Sequence, residues 1–202
     1  MSLKEFERIL DMIIPKYGTP IINLEGSGEP TMAKDLYDYV HAVKKRGLKC
    51  YMYCNGANLR GEFMKKVIDA GIDFIRFSII GYNQNVYKKW MNIDNFDLII
   101  NNIVEAKNYI KDTGKNCQLS TYHLITDNNN IAYEVDEYKK NVINKTNALA
   151  YIWKMHNWSG NYENKNARKK TERRSCGRPN APELTVRAGG SKGRTGAVVP
   201  CC

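Results

Sequence analysis

The sequence has no long apolar run and no leader-like beginning. None of its hydrophobic stretches approaches the ~20 residues that a membrane-spanning helix requires, so we expect no membrane partner. The first residues, Met1 to Phe6, lack the charged-then-apolar layout of a signal peptide, and we therefore expect a cytoplasmic protein. A disulfide framework is not expected in that compartment, so the six cysteines are candidates for buried thiols or metal ligands.

Acidic residues are scarce in the last quarter of the chain. From Tyr151 onward there are eleven Lys or Arg and three Asp or Glu, which puts +8 of the net charge of +10 there. Residues 161–175 are polar and basic without an apolar period, and we interpret them as a basic linker. Such a run is usually solvated. Nucleic-acid binding is the alternative, but few aromatic residues are interleaved with the charges.

Apolar segments alternate with amphipathic ones along most of the 202 residues. The predicted strands are apolar rather than alternating, which favours an α/β fold with a parallel sheet covered by helices. The first helix has no strand before it, so we predict that the repeat lacks its first strand. The predicted helices span residues 3–16, 32–46, 62–70, 85–91, 95–111 and 131–143, and the predicted strands span 21–24, 48–54, 72–80, 117–125 and 148–155.

Polar residues follow each predicted strand. The first strand runs into Gly26-Ser27-Gly28-Glu29-Pro30, where glycines without a Cβ permit a sharp turn and close approach of a ligand, and proline fixes the direction of Glu29. Alone, this segment also fits an ordinary strand-to-helix turn. Carboxyl ends of parallel strands meet at one edge of a sheet, so we predict a shared site there. The later strand ends contribute Asn55, Ser78, Thr126-Asp127 and His156.

Three of these segments, in order, resemble motifs of the radical S-adenosylmethionine (radical SAM) enzymes. They are Gly28-Glu29-Pro30, Cys54-Asn55-Gly56 and Phe77-Ser78-Ile79-Ile80-Gly81, followed by a matching helix at residues 96–103. The chain's end resembles the SPASM extension of that family, which opens with Cys-x-Arg-Pro and continues into a hairpin. Here Cys176-Gly177-Arg178-Pro179 and Gly196 to Cys201 match it.

The resemblance implies an α/β fold of a definite kind, a partial (β/α)6 TIM-like barrel with a short cysteine-bearing β-hairpin extension. Residues 1–160 would form the partial barrel, 161–175 the linker and 176–202 the start of the SPASM-like extension. It also implies S-adenosylmethionine as cofactor, with Gly28, Glu29 and Pro30 at its amino group and with Asn55 and Ser78 toward its ribose or carboxylate. A carboxylate and carbonyls suit an ammonium, and polar side chains suit hydroxyls.

The implied activity is radical chemistry at iron–sulfur clusters. The family cleaves S-adenosylmethionine to a 5′-deoxyadenosyl radical, which abstracts hydrogen from a peptide or small-molecule substrate, with electrons from a donor such as flavodoxin or ferredoxin. Cys176 and Cys201 would ligate an auxiliary [4Fe–4S] cluster, although two thiolates would also bind zinc. The role of Cys202 stays open.

One family motif is absent: the Cys-x3-Cys-x2-Cys loop that holds the catalytic cluster. Cys50 and Cys54 have only its first spacing and lie on one face of a predicted strand, so we interpret them as core thiols. We therefore expect a fragment, cut at both ends and inactive as it stands.

Two other functions are open. One is an iron-free TIM-like barrel enzyme that binds a phosphorylated ligand at Gly26 to Gly28, against which Glu29 argues. The other is a nucleic-acid-binding module using the basic C-terminal region.

Several residues are expected to have structural roles. We predict Cys117 and His123 in the core, His41 in solvent, and Trp90 and Trp153 in packing. His156 at a strand end is a candidate for facing a substrate.

Overall fold

The computed structural model describes residues 1–26, 28–155, 185–187 and 197–199. Five strands and the helices between them form its main unit, in the predicted order. The strands are β1 (Ile21–Leu24), β2 (Lys49–Cys54), β3 (Phe74–Ser78), β4 (Gln118–Ile125) and β5 (Leu149–Lys154). The helices are α1 (Leu3–Tyr17), α2 (Leu36–Lys44), α3 (Gly61–Asp69), α4 (Gln84–Met91), α5 (Phe96–Thr113), α6 (Ile131–Tyr138) and α7 (Asn144–Thr146).

The five strands form one parallel sheet in the order β1-β2-β3-β4-β5, so each strand pairs with its neighbours in sequence. Every crossover carries at least one helix, as parallel pairing requires. Within the described part of the chain, β5 does not pair back onto β1, so the sheet is not closed. The predicted α/β fold with a partial TIM-like barrel is therefore confirmed.

The two faces of the sheet differ in composition, contrary to the expectation of uniformly apolar strands. On β2, Cys50, Met52 and Cys54 are buried, while Tyr51 and Tyr53 between them are only partly covered. The buried set belongs to the core formed with the helices. The opposite, inner face carries tyrosines and an arginine, and it lies in the interior of the partial barrel. Alternation was hidden in the sequence because tyrosine and phenylalanine count as apolar.

The helix boundaries differ from prediction by more than two residues in two places. The helix predicted from residue 32 begins at Leu36, because Pro30–Met32 instead forms a 3-10 turn capped by the Glu29 side chain. The helix predicted for residues 131–143 changes to a π-helical turn at Lys139–Ile143 before α7. Hydrophobic periodicity predicts that such helices exist more accurately than it predicts where they begin and end.

The chain's last described elements are two short strands, β6 (Thr185–Arg187) and β7 (Ala197–Val199), which pair antiparallel as the predicted hairpin. The basic linker, His156, Cys176, Cys201 and Cys202 lie outside the described residues. Among the helices that are described, none has the length and apolar character needed to cross a bilayer.

Candidate functional site

Four of the five residues predicted to bind the cofactor line one hollow at the carboxyl ends of β1, β2 and β3. The hollow has a volume of about 270 Å³, and Glu29, Asn55 and Ser78 all border it together with Gly28. Pro30 does not line it and instead begins the adjacent 3-10 turn. The remaining lining residues are Glu25, Gly26, Tyr53, Cys54 and Arg76.

The Glu29 carboxylate joins the glycine-rich loop to the end of β2. Its Oε1 accepts hydrogen bonds from the backbone N–H of Thr31 at 3.1 Å and from the Thr31 hydroxyl at 2.6 Å. Its Oε2 accepts one from the backbone N–H of Asn55 at 2.7 Å. Hydrogen bonds to an ionised carboxylate are among the stronger ones in proteins. Glu29 therefore holds two walls of the hollow in a fixed relation.

The Asn55-Gly56 turn is built for close packing. The Asn55 Oδ1 accepts a hydrogen bond from the Ala57 N–H at 2.9 Å, which closes a local turn. Gly56 has a φ of 81°, and a Cβ there would lie 2.6 Å from Cδ1 of Phe77. Both observations require glycine at this position.

A buried asparagine on α5 supports the same turn from behind. Asn102 is 3% exposed, and its Nδ2 donates hydrogen bonds to the carbonyl oxygens of Gly56 at 2.8 Å and Ala57 at 3.3 Å. The segment containing Asn102 was part of the sequence resemblance, but no role was predicted for it. Asn102 thus holds the turn that follows Asn55, which lines the hollow.

We expect Asn102→Leu to lower the free energy of unfolding by about 1–3 kcal/mol, because the carbonyls of Gly56 and Ala57 lose the donor that the buried Asn102 side chain supplies. Urea denaturation followed by circular dichroism measures this change. The neighbouring Asn101 is exposed, so Asn101→Leu is the matched control and should change stability little. Equal losses in the two variants would contradict the assigned role of Asn102.

The two loop glycines are not required by the fold itself. Neither Gly26 nor Gly28 lies in the left-handed region of φ, and a Cβ on either would meet no atom within 4 Å. The sharp turn that was expected to need them is therefore made without left-handed glycine backbone. Because these glycines have no side chains, space remains open beside the loop. A ligand in that space can approach the backbone closely.

The fourth strand end does not join the hollow. Thr126 and Asp127, predicted as site residues, instead donate their backbone N–H groups to the Glu134 carboxylate at 2.8 and 3.0 Å. Glu134 is 1% exposed and also accepts a hydrogen bond from His123 Nε2 at 2.8 Å. The residues at the end of β4 are polar because the buried carboxylate of Glu134 on α6 requires hydrogen-bond donors.

Burial acts to raise the pKa of Glu134. The hydrogen bonds from His123, Thr126 and Asp127 outweigh that effect and hold the pKa below its ordinary value of 4.5. His123 is fully buried, as predicted, and its ring stacks on Tyr138 with centroids 4.4 Å apart. The network is a structural one that fixes α6 against β4.

Comparison with known proteins decides the family. The sequence model of the radical SAM superfamily matches residues 1–140, which is more than half of the chain. The chain belongs to the radical SAM superfamily.

Curated relatives of this radical SAM chain have several functions by name. It is 26% identical over 144 residues to an uncharacterized protein of Methanocaldococcus jannaschii, covering 70% of this chain and 45% of the relative. It is 29% identical over 110 residues to a probable GTP 3′,8-cyclase of Thermococcus kodakarensis, covering 54% and 35%. It is 26% identical over 140 residues to an AdoMet-dependent heme synthase of Oleidesulfovibrio alaskensis, covering 69% and 34%. The chain thus spans less than half the length of these relatives.

Solved structures support the fold. SuiB of Streptococcus suis bound to its precursor peptide SuiA superposes with a TM-score of 0.61 at 16% identity, covering 83% of this chain and 36% of SuiB. SuiB bound to S-adenosylmethionine superposes with a TM-score of 0.60 at 15% identity, covering 83% and 35%. At such identities the likeness concerns the fold alone.

The described cysteines of the radical SAM domain do not fit an iron–sulfur cluster. Cys50, Cys54 and Cys117 are free and buried, and Cys50 and Cys54 are separated by about 13 Å of strand. Burial raises the pKa of the Cys50 and Cys117 thiols to about 12 and raises that of Cys54 as well. In the described part, no three His, Cys, Asp or Glu side chains are grouped to hold a metal ion. The predicted core role of these thiols is confirmed.

Two residues of the hollow were not predicted from the sequence. Arg76 on β3 and Tyr53 on β2 project from the inner face, and the Arg76 guanidinium carbon lies 3.4 Å from the centroid of the Tyr53 ring. A polar residue at the centre of an otherwise apolar strand was the available signal. The prediction that Trp153 is a packing residue is wrong, because that side chain is 61% exposed on the same face.

Proposed function

We propose that this chain provides the S-adenosylmethionine-binding part of a radical SAM enzyme with a SPASM-type extension. The intact enzyme would generate a 5′-deoxyadenosyl radical for hydrogen abstraction from a peptide or small-molecule substrate. The observation that supports this best is the shared hollow of Glu29, Asn55 and Ser78 beside glycines that the fold does not require.

The proposed assignments follow from the chemistry of each group. Backbone carbonyls of the loop around Gly28 would accept hydrogen bonds from the ammonium of the methionine moiety, with the Glu29 carboxylate adding negative charge nearby. Ser78 and Asn55 would face the ribose hydroxyls or the carboxylate. Glu29 would act mainly by positioning, since both of its oxygens already accept hydrogen bonds within the chain.

The iron–sulfur clusters belong to the proposal for the intact enzyme. When bound, the catalytic cluster supplies the electron that starts the reaction, taken from a donor such as flavodoxin or ferredoxin. The 202 residues contain no Cys-x3-Cys-x2-Cys motif, so we propose that this chain alone does not turn over S-adenosylmethionine. Cys176 and Cys201 would hold an auxiliary [4Fe–4S] cluster.

The binding step is testable without any cluster. We expect Gly28→Ala to weaken S-adenosylmethionine binding by about tenfold or more, because a Cβ would occupy space that the ligand needs, while the free energy of unfolding stays within about 0.5 kcal/mol. Equilibrium dialysis with labelled S-adenosylmethionine measures the first quantity and urea denaturation the second.

Ser120→Ala is the control for this experiment. Its hydroxyl is buried on β4, has no hydrogen-bond partner among the described residues and does not line the hollow. This variant should bind S-adenosylmethionine as the unmodified chain does. If the unmodified chain fails to bind at millimolar ligand, or if Gly28→Ala binds equally well, the proposal is wrong.

The iron-free alternative has less support. A phosphate at the Gly26 to Gly28 loop would face the carboxylates of Glu25 and Glu29, which border the same hollow. The 3-10 turn that follows the loop is already capped by the Glu29 carboxylate, and α2 begins only at Leu36, so no α-helix N-terminus directly follows the loop. The basic segment on which the nucleic-acid alternative depends lies outside the described residues.

A further inference from the structure

In the described part of the chain, the Arg76 guanidinium stacks on aromatic rings but has no carboxylate partner. Its guanidinium carbon lies 3.4 Å from the ring centroid of Tyr53 and 4.8 Å from that of Tyr122. Its Nε is buried and has no hydrogen-bond partner within the residues that the structure describes. Among the described residues, no carboxylate lies within salt-bridge distance of it. A partly buried guanidinium without an acceptor among the described residues is costly, so an anionic ligand in a cavity that Arg76 lines is the natural complement.

A second cavity, of about 290 Å³, lies on the inner face of the sheet beside the first. It reaches the amino ends of β3 and β4, because Phe74 and Gln118 are the first residues of those strands. Arg76 and Tyr53 border both cavities. The other lining residues are Tyr51, Phe74, Gln118, Tyr151 and Trp153.

This lining differs from the packed interior of a barrel. Closed (β/α) barrels fill their interior with layers dominated by branched aliphatic side chains, and the second cavity is lined by none. Trp153 is 61% and Tyr151 41% exposed, so these rings do not complete a core in the described structure. Aromatic faces around a single guanidinium suit a ligand with a flat apolar part and one negative charge.

We propose that the second cavity binds an aromatic carboxylate, with Arg76 pairing the carboxylate and the surrounding aromatic side chains contacting the ring. The planar fork of an arginine matches a carboxylate, and the stacking of Arg76 between Tyr53 and Tyr122 pre-orders that fork. The site shares Arg76 and Tyr53 with the cofactor hollow. It goes beyond the proposed function, because its occupation needs no S-adenosylmethionine.

The test compares two probes of the same shape, 3-phenylpropionate and 3-phenylpropionamide, which differ in charge. Isothermal titration calorimetry on the full chain should show the carboxylate binding about tenfold or more tightly than the amide. Arg76→Gln should abolish this preference, and Arg76→Lys, which keeps the charge without the planar fork, should retain part of it. Trp153→Ala should weaken both probes alike.

Arg60→Gln is the matched control, because Arg60 is exposed and borders neither cavity. It should preserve the preference for the carboxylate. Circular dichroism shows whether each variant is folded. If Arg76→Gln does not fold, the comparison of Arg76→Lys with the unmodified chain still tests the proposal.

Failure of the unmodified chain to bind 3-phenylpropionate at millimolar concentration, or equal affinity for the two probes, would overturn the proposal. So would an Arg76→Gln variant that keeps the preference but loses S-adenosylmethionine binding, since Arg76 would then serve the cofactor hollow. A chain that binds 3-phenylpropionate but not S-adenosylmethionine would contradict the proposed function and leave this site intact.

Discussion

Gly81→Ala should lower the free energy of unfolding by roughly 3–5 kcal/mol, one of the largest effects expected in this chain. Gly81 has a φ of 131°, which side chains rarely adopt. A Cβ there would lie 2.4 Å from the backbone N and 2.6 Å from the Cα of Tyr87, so the first turn of α4 would have to move. The same shift would disturb the hydrogen bond from the Gly81 N–H to His123 Nδ1, at 3.1 Å. Urea denaturation measures the loss.

Gly114→Ala separates the effect of the clash from that of the backbone conformation. Gly114 has a φ of 65°, and a Cβ there would meet no atom within 4 Å. This control should therefore cost only about 1 kcal/mol. If Gly81→Ala costs no more than Gly114→Ala, the close approach of α4 to the end of β3 is not as tight as described.

Glu134→Gln should lower the free energy of unfolding by about 3 kcal/mol at neutral pH. The carboxylate Oε1 accepts from His123, the Thr126 N–H and the Thr126 hydroxyl, and Oε2 accepts from the Asp127 N–H. An amide replaces one of these acceptors with a donor, so at least one buried donor loses its partner. Glu137→Gln, three residues along the same helix and more exposed, is the control.

The effect of Glu134→Gln should depend on pH in a definite direction. Because the pKa of Glu134 is lowered on folding, its stabilisation is fully present above about pH 4.5 and is lost as the pH falls through the lower value of the native state. The difference in unfolding free energy between the unmodified chain and the variant should therefore shrink in acid. A difference that is constant from neutral pH to well below pH 4.5 would rule out this account of the buried carboxylate.

The order of the elements could be predicted because local signals were consistent. Segments rich in strand-forming residues at 21–24 and 117–125 and the glycines that end α1 and α5 mark strands and helices without tertiary information. Boundaries were less accurate where a side chain competed with the backbone. Glu29 caps a 3-10 turn and delays α2 to Leu36, and this depends on where its carboxylate lies in three dimensions.

The candidate site could be predicted only as a set of residues at strand ends. Glu29, Asn55 and Ser78 share a hollow because consecutive parallel strands bring their carboxyl ends together. That rule cannot distinguish them from Thr126 and Asp127, whose backbone groups serve Glu134. The rule also does not predict Arg76 and Tyr53. These two residues matter because their side chains, on adjacent strands, stack on each other. The roles of the predicted residues in binding stay predictions.

The open sheet also has a bearing on association between chains. In the described part, β1 and β5 each pair on one side only, so the other side of each presents backbone N–H and C=O groups in the pattern that attracts another strand. The two flanks are unequal. β1 offers four residues, whereas β5 offers six, among them the exposed Tyr151 and Trp153. The β5 flank is thus the side on which an additional polypeptide would gain most by extending the sheet.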